Sequence, residues 1–347
     1  MRAMAARTVR KAPTLRTDCF SHTIATALGR AVALFSQDLL GAWLRRASLK
    51  GFFSESQLLS KVFLLLAILF ISFLLHQMLA LFLVSLLIEN GYDLFFSYDL
   101  TSKKSINILK TTHFFSAIGT FISPIVIYGY LTNFSFGFTR KISRQSILLV
   151  IALMILIIPF ISFILEWNMK IEFPQWLSDF NTNSEPILIA FLNMNNPVDL
   201  IVNLIIMAII PAIGEELFFR GFLQKSLISV TTNQHIAVLI TSFLFSAIHF
   251  HLDGFIPRFM LGILLGYMFL WSGSLWIPIL AHFTNNAIAV IISYPAFQSF
   301  EIIQNFNHYN EYKPAETTSD YLFFSALSVS VILYLLYNTL ENERLRK

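Results

Sequence analysis

Apolar positions along this chain come in runs of about twenty residues separated by short polar stretches, and none alternates with the period of two that a barrel strand shows. A helix needs about that length to cross roughly 30 Å of hydrocarbon at 1.5 Å per residue. Eight such segments follow residue 55: about 62–88, 111–131, 147–167, 199–228, 236–252, 257–271, 274–295 and 321–340. They predict an all-α fold, a polytopic membrane bundle of about eight transmembrane helices. The fourth segment exceeds a simple span and carries Pro211, Glu215, Glu216 and Arg220, which predicts a kink or a far end beside water or protein. The connections at 251–256 and 272–273 are tight, so segments four to seven should pack as antiparallel neighbours and form the active bundle.

Composition agrees with this pattern. The 347 residues are 56% hydrophobic and 13% charged, with a mean hydropathy of +0.68, too apolar for a soluble globular protein of this length. Cys19 is the single cysteine, which excludes a disulfide framework, a thiolate metal cluster and a cysteine nucleophile in the spans. The net charge of +4 is modest and no basic stripe is interleaved with aromatics, so nucleic acid is not an expected partner.

Residues 1–55 read as a basic extension outside the fold, rich in Ala and Arg (Arg2, Arg7, Arg10, Arg16, Arg30, Arg45, Arg46), followed by a helical membrane domain at 56–347. The extension has three open readings: a transit-like targeting segment, an upstream extension without function, or a cytoplasmic basic tail. Arg140, Lys141 and Arg144 between spans two and three, and the basic tail Arg344 to Lys347, place both termini in the cytoplasm by the positive-inside rule. Lys103, Lys104 and Lys110 in the first external loop run against that orientation. The Ile-, Phe-, Asn- and Lys-rich composition of the remainder points to a bacterial cytoplasmic membrane.

Ionisable groups at bilayer depth cost a few kcal/mol each, so they normally face a cavity or a partner. Three polar signatures stand in the apolar second half: Glu215-Glu216 with Arg220, Phe245 with His249, and His282 with Asn286. Glu216 and Arg220 are an i,i+4 acid-base couple on one helix face, while Glu215, about 100° around the axis, is left to turn into the cavity. Phe245 lies one turn before His249 and can shield its imidazole. His282 and Asn286, again four apart, present a hydrogen-bonding or metal-ligating pair to one point, and Asn285 should point elsewhere. Taken alone, the first group reads as a helix-end salt bridge and the histidine as structural. Together they suggest a hydrolase: a carboxylate base, a histidine that shares an activated water, and a His/Asn pair for an oxyanion. No His-Glu-x-x-His, Gly-x-Ser-x-Gly or glycine-rich phosphate motif is present.

Glu215-Glu216-Leu-Phe-Phe-Arg220, Phe245-Ser-Ala-Ile-His249 and His282-Phe-Thr-Asn-Asn286 resemble the three motifs of the CPBP family of intramembrane proteases, which includes the type II CAAX prenyl endopeptidases and the Abi bacteriocin-immunity proteins. The resemblance covers residues 199–295, the expected catalytic core. It implies an intramembrane endopeptidase with an eight-helix bundle open to the cytoplasm, acting on a peptide or protein beside membrane lipid. By the resemblance, Glu215 and His249 activate water, His282 and Asn286 form the oxyanion site, and Glu216 and Arg220 support Glu215. Two mechanisms stay open: Glu215, His249 and His282 as a three-ligand site for a divalent metal such as zinc, or glutamate-driven hydrolysis without one. The rival reading is a transporter or silent scaffold using the same residues for ion or helix contacts, although a transporter of this size should show paired broken helices in two related halves.

Overall fold

The computed structural model describes residues 49–56, 58–97, 99–138, 142–178, 185–298 and 319–345. Among them every regular element is helical. The main helices are α1 (Leu58–Leu87), α2 (Lys103–Thr132), α3 (Arg144–Leu156), α4 (Ile158–Met169), α5 (Pro197–Thr231), α6 (Gln234–Ala247), α7 (Phe255–Ser272), α8 (Trp276–Ile292) and α9 (Ser319–Leu345).

All eight apolar segments are helical, but their lengths correct the expected count. Five helices are long and apolar enough to cross a membrane, and α3 with α4, bent by 41°, makes a sixth if counted together. The bend falls beside Pro159, whose ring denies α4 a backbone donor in its first turn. The fifth and seventh segments form only α6 and α8, of 14 and 17 residues. The five long helices are integral-membrane helices by length and hydropathy, and α1 illustrates the environment: only 6% of its most apolar window is buried within the protein.

Local chemistry sets the helix ends. Asn196 caps α5 by accepting from the N–H groups of Val198 and Asp199, with Pro197 in the first turn where a missing donor costs nothing. Asn233 caps α6 in the same way through His235 and Ile236. Gly273, at φ +60°, closes α7 in the left-handed conformation with its N–H on the Phe269 carbonyl. The backbone N–H groups of Gly51 and Phe53 bond to the carbonyls of Tyr130 and Leu131. Residues 1–48 of the proposed extension, together with Arg140, Lys141, Arg346 and Lys347 of the orientation argument, lie outside the described residues.

Two apolar clusters flank the middle of the bundle. One joins Val150, Leu153 and Met154 of α3 to Leu265 and Met268 of α7, Ile277 and Ala281 of α8, and Leu336 and Leu340 of α9. The other joins Ile125 and Tyr128 of α2 to Leu217 and Phe222 of α5, Phe269 of α7, and Leu275 and Ile279 of α8. Helices α3, α9 and α2 therefore buttress the expected bundle. The fourth segment is an unbroken 35-residue helix interrupted by π-helical stretches at Leu204–Ile209 and Leu217–Gln224, with Pro211 and the two glutamates between them. A π turn adds a residue to the helical cycle and frees backbone groups without a sharp kink, so Pro211 is tolerated inside the span.

Candidate active site

Helix α5 supplies three of the site's groups. Nη1 of Arg220 donates to Oε1 of Glu216 at 2.7 Å, and both side chains are fully buried. The other arm of the guanidinium, Nη2, donates to the Gly262 carbonyl of α7 at 3.0 Å. The same glycine lets α6 and α7 stand close: a β-carbon on Gly262 would come within 3.0 Å of the Ser242 Cβ. One turn later Nε2 of Gln224 repeats the pattern on the Gly266 carbonyl at 3.1 Å.

His282 of α8 meets this pair. Its Nδ1 lies 2.9 Å from the same Oε1 of Glu216, and its Nε2 lies 4.0 Å from Oε2 of Glu215. A carboxylate only accepts, so Nδ1 carries the hydrogen and Nε2 is turned toward Glu215. The second separation is too long for a direct hydrogen bond and short enough for one water to bridge. Glu216 is wholly buried, whereas the Glu215 side chain keeps 14% exposure. The adjacent carboxylates are thus divided between a clamp and a cavity wall, as helical geometry predicts, and Arg220 engages Glu216.

Phe245 ties the second motif to this centre. Its ring packs edge-on against the imidazoles of His249 and His282, at 5.5 and 5.8 Å between centroids, and against Phe219. The Arg220 guanidinium lies 4.5 Å from its centroid, a cation-π contact that desolvation strengthens. Nδ1 of His249 bonds to the Phe245 carbonyl at 2.8 Å. A carbonyl only accepts, so Nε2 of the neutral ring is left as an acceptor. Phe250, next in sequence, adopts φ +49°, uncommon for a bulky residue, and it reverses the chain immediately after His249. Beside this turn lies a cavity of about 450 Å³ lined by Phe173, Leu177, Phe243, Ala247, Phe250 and Leu252.

The third motif departs from expectation. Nδ2 of Asn286 donates to the Met207 carbonyl in the first π stretch of α5, at 3.1 Å, an acceptor four residues before Pro211, which has no N–H to offer it. Asn285 does not point elsewhere: its Nδ2 donates to Oδ1 of Asn286 at 3.1 Å. His282 and Asn286 each make a contact to α5, one to Glu216 and one to Met207.

The suggested metal set of Glu215, His249 and His282 is not drawn up as ligands. Among the described residues no group of three or more His, Cys, Asp or Glu side chains is placed to hold a metal ion, and Nδ1 of His282 is already committed to Glu216. The residues as arranged do not fit a three-ligand zinc site.

Arg258, in the first turn of α7, is a residue the sequence reading passed over. Its Nη1 donates to the His251 carbonyl at 3.3 Å, in the turn that follows His249. A lone cation within an apolar span was the signal for it, and it resembled an ordinary snorkelling arginine.

Residues 197–288 match the family described as Rce1-like, type II CAAX prenyl endopeptidase Rce1-like, a stretch that runs from the start of α5 past Asn286. Over 90 residues, 25% of the chain, the sequence is 34% identical to the uncharacterized protein YpbD of Bacillus subtilis (strain 168), and the match covers 43% of that relative. No solved structure matches. The match lies on the prenyl-endopeptidase side of the resemblance drawn from the motifs.

Proposed function

We propose that this protein is an intramembrane endopeptidase that hydrolyses a peptide bond of a protein or peptide substrate near the cytoplasmic side of a bacterial cytoplasmic membrane, with both termini cytoplasmic. One observation carries the reading: Glu216 holds His282 through Nδ1 while Nε2 faces Glu215 across a gap the size of a water. The Rce1-like match over the same residues supports the peptidase class.

In the proposed reaction a water donates one hydrogen toward Glu215 and the other toward Nε2 of His249. Glu215 removes the proton as the oxygen attacks the substrate carbonyl carbon. The carbonyl π electrons move onto oxygen, and an Nε2–H of His282 stabilises the resulting oxyanion. Glu216 holds that ring through Nδ1. The proton on Glu215 then passes to the leaving nitrogen, the C–N bond breaks, and a carboxyl product and an amine product are released. No step needs a metal.

The test is turnover of a cleavable reporter peptide by membranes carrying the wild type or Glu215→Gln. Loss of turnover in the variant supports the peptidase, and wild-type turnover in it would leave the scaffold or transporter reading standing.

A further inference from the structure

Helices α5 and α6 carry their own asparagine caps, but the N-cap of α7 is Gly254, which has no side chain to offer. The acceptor comes from another helix. Oδ1 of Asn168, in the last turn of α4, accepts at 2.8 Å from the Ile256 N–H, one of the first four donors that a helix cannot pair internally. Its Nδ2 donates to the Leu252 carbonyl, also at 2.8 Å. The carboxamide therefore offers one donor and one acceptor to two backbone groups four residues apart, as a peptide unit would, and Asn168 is fully buried.

The turn held in this way is the one that carries His249. Ser246, also fully buried, donates from Oγ to the Phe255 carbonyl at 2.7 Å, and its own carbonyl accepts from the His249 N–H at 3.4 Å. Nδ1 of His249 is bonded to the Phe245 carbonyl, so the direction of Nε2 follows the backbone at the end of α6. That backbone then reverses through Phe250 at φ +49°, a conformation that a bulky residue keeps only where its surroundings over-determine it. The bonds at Leu252, Phe255 and Ile256 supply that constraint from the far side of the turn. Ser246 ties α6 to α7, whereas Asn168 ties the turn to α4, outside the hairpin that it closes.

We infer that Asn168 is a positioning residue for His249: it locks the turn after α6 so that Nε2 of His249 stays aimed at the water beside Glu215, an inference that rests on the endopeptidase reading. Asn168 itself acts from behind the turn and handles no reacting atom. Two hydrogen bonds there are enough to matter, because a displacement of about 1 Å at a reacting group can cost about 100-fold in rate.

The experiment uses the full chain in lipid nanodiscs with a cleavable reporter peptide. Asn168→Leu keeps the volume of the side chain and removes both hydrogen bonds. Ser325→Ala, which loses a buried bond from α9 to the Leu156 carbonyl of α3, is the control for lost stability alone and should leave kcat unchanged. Asn168→Leu should lower kcat about 10- to 100-fold with KM altered by less than about twofold, since the aim of a reacting group is disturbed and the binding of substrate is not. Measured in single turnovers, the loss should vanish in a His249→Ala background, because a residue acting through His249 has nothing left to position. Hydrogen exchange in Asn168→Leu should rise in residues 250–256 and not through the rest of the bundle. A loss that adds to that of His249→Ala, a loss carried in KM, or exchange raised throughout makes Asn168 a general structural residue and overturns the inference while the peptidase stands. If Glu215→Gln cleaves as well as the wild type, the peptidase falls and exchange decides alone: a rise confined to 250–256 upholds Asn168 as the lock on the turn, and unchanged exchange there overturns it.

Discussion

One oxygen of Glu216 serves both Arg220 and His282: Oε1 lies 2.7 Å from Nη1 of the first and 2.9 Å from Nδ1 of the second. A single buried carboxylate thereby joins α5, α7 and α8, because Arg220 continues to the Gly262 carbonyl.

Removing that carboxylate should be primarily a stability lesion. Glu216→Ala strands a buried guanidinium, and breaking a buried pair from one side costs about 3–5 kcal/mol. A thermal unfolding midpoint in detergent equal to that of the wild type would show that the pair does not hold the bundle.

Glu215→Gln should behave in the opposite way. The substitution keeps shape and hydrogen bonding but removes proton abstraction, so turnover should fall by roughly 10² to 10⁴ while thermal stability and peptide binding survive. A comparable loss of stability would mean that Glu215 is structural.

Gly262→Ala tests the close approach of α6 and α7. The added methyl meets the Cβ of Ser242 at 3.0 Å and its Cα at 3.1 Å, and Ser242 is itself buried. Overpacking of this kind costs about 1–3 kcal/mol. Turnover should drop with it, since the helices must part at the carbonyl that orients Arg220, and a variant with full stability and activity would contradict the packing described.

At Asn286, replacement by Asp sets an acceptor against the Met207 carbonyl where a donor now stands. A buried acceptor left facing another should cost about 1–3 kcal/mol, and Asn286→Ala should lose activity non-additively with His282→Ala if both serve one oxyanion. Simple additivity in the double variant would assign Asn286 to the α5–α8 contact alone.

Chelation addresses the metal alternative from the donor geometry. Since Glu215, His249 and His282 are not gathered as ligands, activity should persist after a strong chelator with metal content checked on the purified protein. Activity lost on chelation and restored by zinc would require rearrangement of these three side chains.

Features that depend on one helix at a time were legible in the sequence. Apolar runs of about twenty residues specify helices, because an unpaired backbone cannot be left in lipid. The Glu216–Arg220 pair follows from 3.6 residues per turn, as does the placing of Phe245 beside His249. Lengths were overestimated at α6 and α8, since hydropathy extends an apolar run through the turns that close it. What only the tertiary structure decided is the register between helices. Spacing puts His282 and Asn286 on one face of α8, and packing supplies their partners on α5, Glu216 for the first and the Met207 carbonyl for the second. The same cause hid Asn168, whose partners Leu252 and Ile256 stand 84 and 88 positions along the chain. That register is set by small residues such as Gly262 and by carbonyls they expose to Arg220 and Gln224, contacts between residues some forty positions apart that no local period encodes.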